Sequence, residues 1–119
     1  MTAPNLRNPS TITGKTAIYS CTTTLSEVLP NPSGSNKVIK INTIRCANVN
    51  ASLTATVDVT IYRSSVHKYL IKTVQIPATK SLIVTDKNEY IYLEEGDSVY
   101  ALSGTSGDID MTITYEDIS

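Results

Sequence analysis

Strict alternation of apolar and polar side chains is the property that most limits what this chain can become. Leu53, Ala55, Val57, Val59 and Ile61 fall on one side of an extended segment, and Thr54, Thr56, Asp58, Thr60 and Tyr62 on the other. A period of two fits a half-buried strand and no helix. The period returns at Ile109, Met111, Ile113 and Tyr115, which alternate with Asp110, Thr112, Thr114 and Glu116. It also runs through residues 37–47, where Ile39, Ile41 and Thr43 share a face until the phase slips and Ile44 and Cys46 take over. A bulge near Thr43, or a strand that changes sheets there, is the expected cause.

Shorter strands are expected over residues 15–22, 26–29, 68–76 and 82–85. Residues 90–102 read as a hairpin whose arms flank Glu94-Glu95-Gly96-Asp97, with Gly96 at positive φ. The strongest turn signal is Pro30-Asn31-Pro32-Ser33-Gly34-Ser35-Asn36. Only residues 23–29 leave room for a single helical turn. The expected fold is therefore all-β: a single antiparallel β-sandwich of about eight strands over residues 11–119. Jelly-roll and immunoglobulin-like topologies both remain open, although the Cys-Trp-Cys marker of the latter is absent for want of any Trp. Residues 1–10, with Pro4 and Pro9 and little to bury, are expected to form an extended N-terminal arm, mobile or held by a partner.

A chain of 119 residues supports one core. Ile, Val and Thr make up about a third of it, the β-branched excess of pleated sheet. With no Trp or Phe and seven Tyr, that core must be mostly aliphatic. A net charge of −1 argues against nucleic acid as a partner. Residues 1–60 carry five basic and two acidic side chains, residues 61–119 five and nine, a split suited to contact between copies. No window is long and apolar enough for a membrane helix. The first residues lack the apolar stretch of a secretory leader, so a reducing compartment is expected. Cys21 and Cys46 then read as small buried apolar residues, with a disulfide between them left open.

The motifs that imitate chemistry each lack their context. Thr13-Gly14-Lys15-Thr16 resembles the end of a phosphate-binding loop, but Pro9 stands where its first Gly belongs and no helix follows. His67, the only histidine, reads as a solvent-exposed turn residue, with no nucleophile elbow near it. Glu94, Glu95 and Asp97 could share a Ca²⁺ with Asp108 and Asp110 if both loops met at one end of the sandwich, yet solvated turns are the commoner meaning. Tyr19, Tyr90, Tyr92 and Tyr100 are the available platform for a sugar, though the usual Trp is missing. The uncharged face of Thr54, Thr56 and Thr60 fits an interface or an ordinary sheet face equally well. No catalytic residue, cofactor site or metal site is assigned.

Taken in order, Thr11-Ile12-Thr13-Gly14-Lys15-Thr16, Lys40-Ile41-Asn42-Thr43-Ile44, Ile61-Tyr62-Arg63-Ser64, Thr85-Asp86-Lys87-Asn88, Ile91-Tyr92-Leu93-Glu94-Glu95-Gly96-Asp97 and the terminal Tyr115-Glu116-Asp117-Ile118-Ser119 form a recognisable series. It resembles the small virion structural proteins of tailed bacteriophages, especially those of marine and cyanobacterial hosts, over nearly the whole chain after the arm. The resemblance implies a non-enzymatic β-sandwich subunit located in the virion. The expected role is a capsid decoration (cement) protein; the alternatives are a neck, tail or fibre component, or a carbohydrate-binding module. The expected partners are the major capsid protein or other virion proteins and further copies of the chain, as a trimer first and a dimer second.

Overall fold

Folding the chain as one long antiparallel hairpin accounts for most of its pairings. The computed structural model describes Pro4 and residues 6–119. Its strands are β1 (Ile12–Ser20), β2 (Ser26–Pro30), β3 (Val38–Asn48), β4 (Ala55–Arg63), β5 (Val66–Ile76), β6 (Ser81–Thr85), β7 (Ile91–Leu93), β8 (Ser98–Ser103) and β9 (Ile109–Ile118). Ile12 faces Ile118, Ser26 faces Ala101, Ile39 faces Leu93, and Arg63 faces Val66 at the tip. The doubled chain then rolls up. One sheet has the order β1-β9-β3-β6, with β7 also paired to β3, and the other has β2-β8-β4-β5. β1, β2 and β3 thus pair with β9, β8 and β7 from the opposite end of the chain and β4 with β5 at the tip, which is the jelly-roll arrangement of the two open alternatives.

Both sheets contribute to one aliphatic core. Ile41, Ile44, Ile113, Leu93, Val57, Val59 and Val99 lie fully buried between them. The phase slip in β3 is a bulge: between Ile41 and Thr43 the register with β9 shifts, leaving Asn42 as the extra residue. That residue lets Ile41 and Ile44 both face inward. β3 stays beside β9 along its whole length and does not change sheets.

Residues 90–102 do not form a hairpin. β7 pairs with β3 in the first sheet, and β8 lies between β2 and β4 in the second. An arch and a hairpin present the same period of two, so the pattern could not separate them. The neighbours decide. Asn31 N–H donates to the Asp97 carbonyl (2.8 Å) and Gly96 N–H to the Asn31 carbonyl (2.7 Å), so the β2–β3 loop takes the polar groups of the arch. Gly96 has the expected positive φ, 89°.

The helical turn falls elsewhere than expected. Residues 26–30 are strand, and a 3-10 turn covers Lys87–Glu89, where the Asp86 carboxyl accepts from Asn88 N–H (2.9 Å). β4 also begins later than its alternation implies. Leu53 precedes it and is 63% exposed. The arm is described only at Pro4 and residues 6–10; there Ser10 N–H donates to the Ser119 carbonyl (2.7 Å). The rest of the expected arm, Met1–Ala3 and Asn5, lies outside the described residues.

Candidate interaction surface

The outer face of the first sheet collects exposed apolar side chains. On β1 the inward residues include Ala17 and Tyr19, which pack on the core, so Ile12, Gly14, Thr16, Ile18 and Ser20 face outward. Ile12 is 55% and Ile18 81% exposed. Across the same face, Ile83 on β6, Tyr92 on β7 and Tyr90 just before it are also exposed. Tyr90 and Tyr92 meet edge to face at 5.3 Å, and Lys40 Nζ sits 4.5 Å over the Tyr90 ring. Thr43, Thr112 and Thr114 with Arg45 line a shallow depression on this sheet.

The four sheet edges differ. β2 is five residues long, is bulged between Glu27 and Leu29, and ends on Pro30. The β6–β7 edge is interrupted by the 3-10 turn. β5 carries Lys68 and Lys72 and two register shifts against β4, and holds Thr73 at φ 51°. Each of these devices blunts an edge against foreign strands. β1 has no bulge, proline or interruption, and of these devices only a lysine. It runs beside β9 for nine residues without a register shift, contains no Pro, and has Lys15 as its one charge.

Hydrogen bonding fixes which groups that edge offers. Thr11 and Ser119 exchange both backbone bonds, Thr11 N–H to the Ser119 carbonyl at 3.0 Å and Ser119 N–H to the Thr11 carbonyl at 2.8 Å. In an antiparallel ladder this makes the odd residues of β1 the ones bonded to β9. The N–H and C=O groups of Ile12, Gly14, Thr16, Ile18 and Ser20 therefore point outward. Lys15 is already taken: its Nζ lies 3.1 Å from Asp117, which Lys37 also reaches at 3.2 Å. Burial acts to raise the Asp117 pKa, but the bonds from Lys15 and Lys37 together outweigh it and hold the carboxyl below its usual range.

One end of the sandwich is tied by charge. Arg63, at the hairpin tip, donates from Nε to Asp97 Oδ1 (2.7 Å) and from a terminal nitrogen to Asp97 Oδ2 (2.6 Å) and Glu94 (2.7 Å). Asp97 is 1% exposed and also accepts from Glu94 N–H (2.9 Å). The hydrogen bond and charge of Asp97 push the Arg63 pKa upward. Beside it the Asn31 amide donates to the carbonyls of Lys37 (3.0 Å) and Leu93 (2.9 Å). The opposite end is tied without an ion pair, by the Asn48 amide donating to the carbonyls of Leu53 (2.9 Å) and Ile76 (2.8 Å) and the Asn50 amide to the Asp108 carboxylate (3.3 Å).

The structure separates the residues that the sequence offered as sites. Glu94, Glu95 and Asp97 lie at the Arg63 end, whereas Asp108 lies at the Asn48 end, where Val49 N–H donates to its carbonyl. Among the described residues no three Asp, Glu, His or Cys side chains are grouped to hold a metal. Thr13-Gly14-Lys15-Thr16 lies within β1. His67 is on β5 and not in a solvent-exposed turn. It is partly buried, with Nδ1 3.0 Å from Thr60 Oγ1 and its ring against Tyr62 and Tyr100. Thr60 is fully buried beneath it, and Asp58 is buried too, so this face of β4 is not a free platform. The tyrosines are dispersed: Tyr19 packs on the core, Tyr100 is in the His67 cluster, and Tyr90 and Tyr92 are on the other sheet.

Cys21 and Cys46 are free and fully buried. Cys46 faces Met111 on β9, while Cys21 follows β1 on the far side of that strand. The intervening strand separates them by two strand spacings, about 9–10 Å, beyond the reach of a disulfide. Burial pushes their thiols up to about 11 and about 12. The signal missed from sequence was the edge itself, since alternation marks a strand without telling which strands lie outermost.

No family model matches the chain, and no curated protein does. Among solved structures, a protein described with the words "Bacillus endospore appendages form a novel family of disulfide-linked pili" is similar in fold. Its TM-score is 0.52 at 11% identity, over 91% of this chain and 85% of that one.

Proposed function

We propose that the chain is a non-enzymatic structural subunit of a multi-copy particle: a tailed-phage virion protein that decorates the capsid exterior. The observation that carries this reading is the outer face of the first sheet, where Ile12, Ile18, Ile83, Tyr90 and Tyr92 remain exposed. These side chains lie along the β1 and β6–β7 margins of that face, with the polar outer residues of β9 and β3 between them, and exposed large apolar side chains of this kind are candidates for protein contact. On this reading the face lies against the shell or a neighbouring copy, and its burial adds the binding energy that resists internal pressure. The ordered series of sequence elements resembling phage virion proteins supports a place in the virion, without favouring one part of the particle over another.

The fold likeness favours a second reading, a subunit of a surface filament. Disulfide linkage of the kind named for that appendage protein does not suit this chain, because both of its cysteines are fully buried with raised thiol pKa values. A sugar-binding role is disfavoured by the dispersed tyrosines. Immunogold labelling and quantitative mass spectrometry of purified particles test the proposal. Label over filled heads, at copy numbers comparable to the shell protein, is expected. Label confined to necks, tails or fibres, or absence from particles, overturns the decoration role.

A further inference from the structure

We infer that β1 is a docking edge for β1 of a second copy, joined antiparallel across a two-fold axis that passes through Thr16. The inference rests on the reading above for the expectation that copies meet, and it names the surface through which they do so.

Three observations select this occupant. First, among the described residues β1 is the edge that is both long and regular, and its single charge, Lys15, is already engaged by Asp117, so it offers a continuous ladder. Second, the outward backbone groups belong to the even residues, so an antiparallel copy must pair even with even. Centring on Thr16 does this and uses the whole strand: Ile12 meets Ser20, Gly14 meets Ile18, and Thr16 meets itself. Third, the side chains suit that register. Ile18, the most exposed large apolar side chain of this face, covers the bare backbone of Gly14, with Ile12 as its diagonal neighbour. On the inner face Lys15 falls opposite Ala17, so no like charges meet, and Lys15 keeps its Asp117 partner. Moving the axis to Lys15 would set the two lysines directly opposite. The contact is isologous, the dimer that stood second to a trimer on sequence grounds.

Cross-linking and sedimentation of the full chain test the register. In Thr16→Cys the two new thiols would lie on a hydrogen-bonded pair, with Cα atoms about 5.5 Å apart, suited to a disulfide. Mild oxidation is expected to trap a covalent dimer rapidly, while Leu53→Cys, also exposed but outside β1, stays monomeric. Ile18→Lys, at an exposed position that leaves the core intact, is expected to weaken self-association about tenfold or more with an unchanged melting temperature. Monomeric wild-type protein at high concentration overturns the inference. So does a dimer that survives Ile18→Lys, or faster cross-linking of Leu53→Cys than of Thr16→Cys. These results leave the particle reading standing if the protein is still found in heads. A confirmed β1 dimer absent from particles overturns that reading instead.

Discussion

β1 and β5 are both long edge strands, and the chain treats them in opposite ways. β5 is held at two places by a buried carboxyl. At its start Arg63, in the adjoining tip, is clamped by Asp97. At its middle Asp58 Oδ1 accepts from Thr73 N–H at 3.0 Å, inside the bulge that breaks register with β4. β1 has no such anchor. Its ladder with β9 is regular, and its one ion pair, from exposed Lys15 to the largely buried Asp117, joins a side chain and leaves the backbone ladder unbroken. An irregular edge needs fixed internal partners, because its distorted backbone leaves groups that the ladder no longer satisfies. A regular edge needs none, and its outward groups stay available. Where this protein spends polar side chains on an edge, that edge is closed to other chains.

The largest effect should come from the clamp. Asp97→Ala removes both Arg63 bonds and the acceptor for Glu94 N–H, and frees the tip from which β5 departs. Because Arg63 is half exposed and water can take over part of its solvation, the loss is expected to be about 2–3 kcal/mol, read by urea unfolding. A smaller change than in Asp58→Ala would show that the tip is held by its backbone alone. Asp58→Ala itself is expected to cost about 1–2 kcal/mol through the unsatisfied Thr73 N–H. Amide exchange at Thr73 should speed up in that variant; unaltered exchange would remove Asp58 from the account of the bulge.

Much of the fold was legible because alternation and burial obey the same period. β4, β9 and the bulged β3 could be placed from residues such as Val57, Ile113 and Ile44. The arch at Glu94–Asp97 could not, because Leu93 and Val99 point into the core whether their strands are neighbours or face each other across the sandwich. Leu53 misled for a related reason: alternation continues past the residue at which pairing begins. Thr60 and Asp58 are engaged by residues of β5, the His67 ring and the Thr73 N–H of the bulge, and neither contact has a local signature in the β4 sequence. The candidate surface was least legible. Ile18 belongs to an alternating segment like any other, and only the strand order shows that, among the described residues, no strand lies beside it on that side.

Thr73 sharpens the comparison from the other side. A β-branched residue at φ 51° is strained, and the bulge depends on accommodating it. Thr73→Gly relieves that strain and is expected to raise stability by about 0.5–1 kcal/mol in thermal melts, with the bulge kept. A loss of stability would mean that the threonine side chain contributes more than its backbone costs.

The smallest effect belongs to the one ion pair on β1, and its pH dependence has a definite sign. Folding depresses Asp117, so its contribution is complete above the unfolded carboxyl value near about 3.9 and disappears as pH falls through the lower folded value. Lys15 is shifted upward by its hydrogen bond to Asp117, so its contribution is complete below the unfolded value near about 10.4 and is lost only at more alkaline pH. Wild type and Asp117→Asn should therefore differ slightly in melting temperature at pH 7 and converge below about pH 4. Molar salt should shrink the gap at pH 7 as well, because Lys15 is exposed. A gap that persists undiminished at pH 2 would show that it does not arise from ionised Asp117. β1 would then be held by its ladder alone, and the contrast with the carboxyl-anchored β5 would be complete.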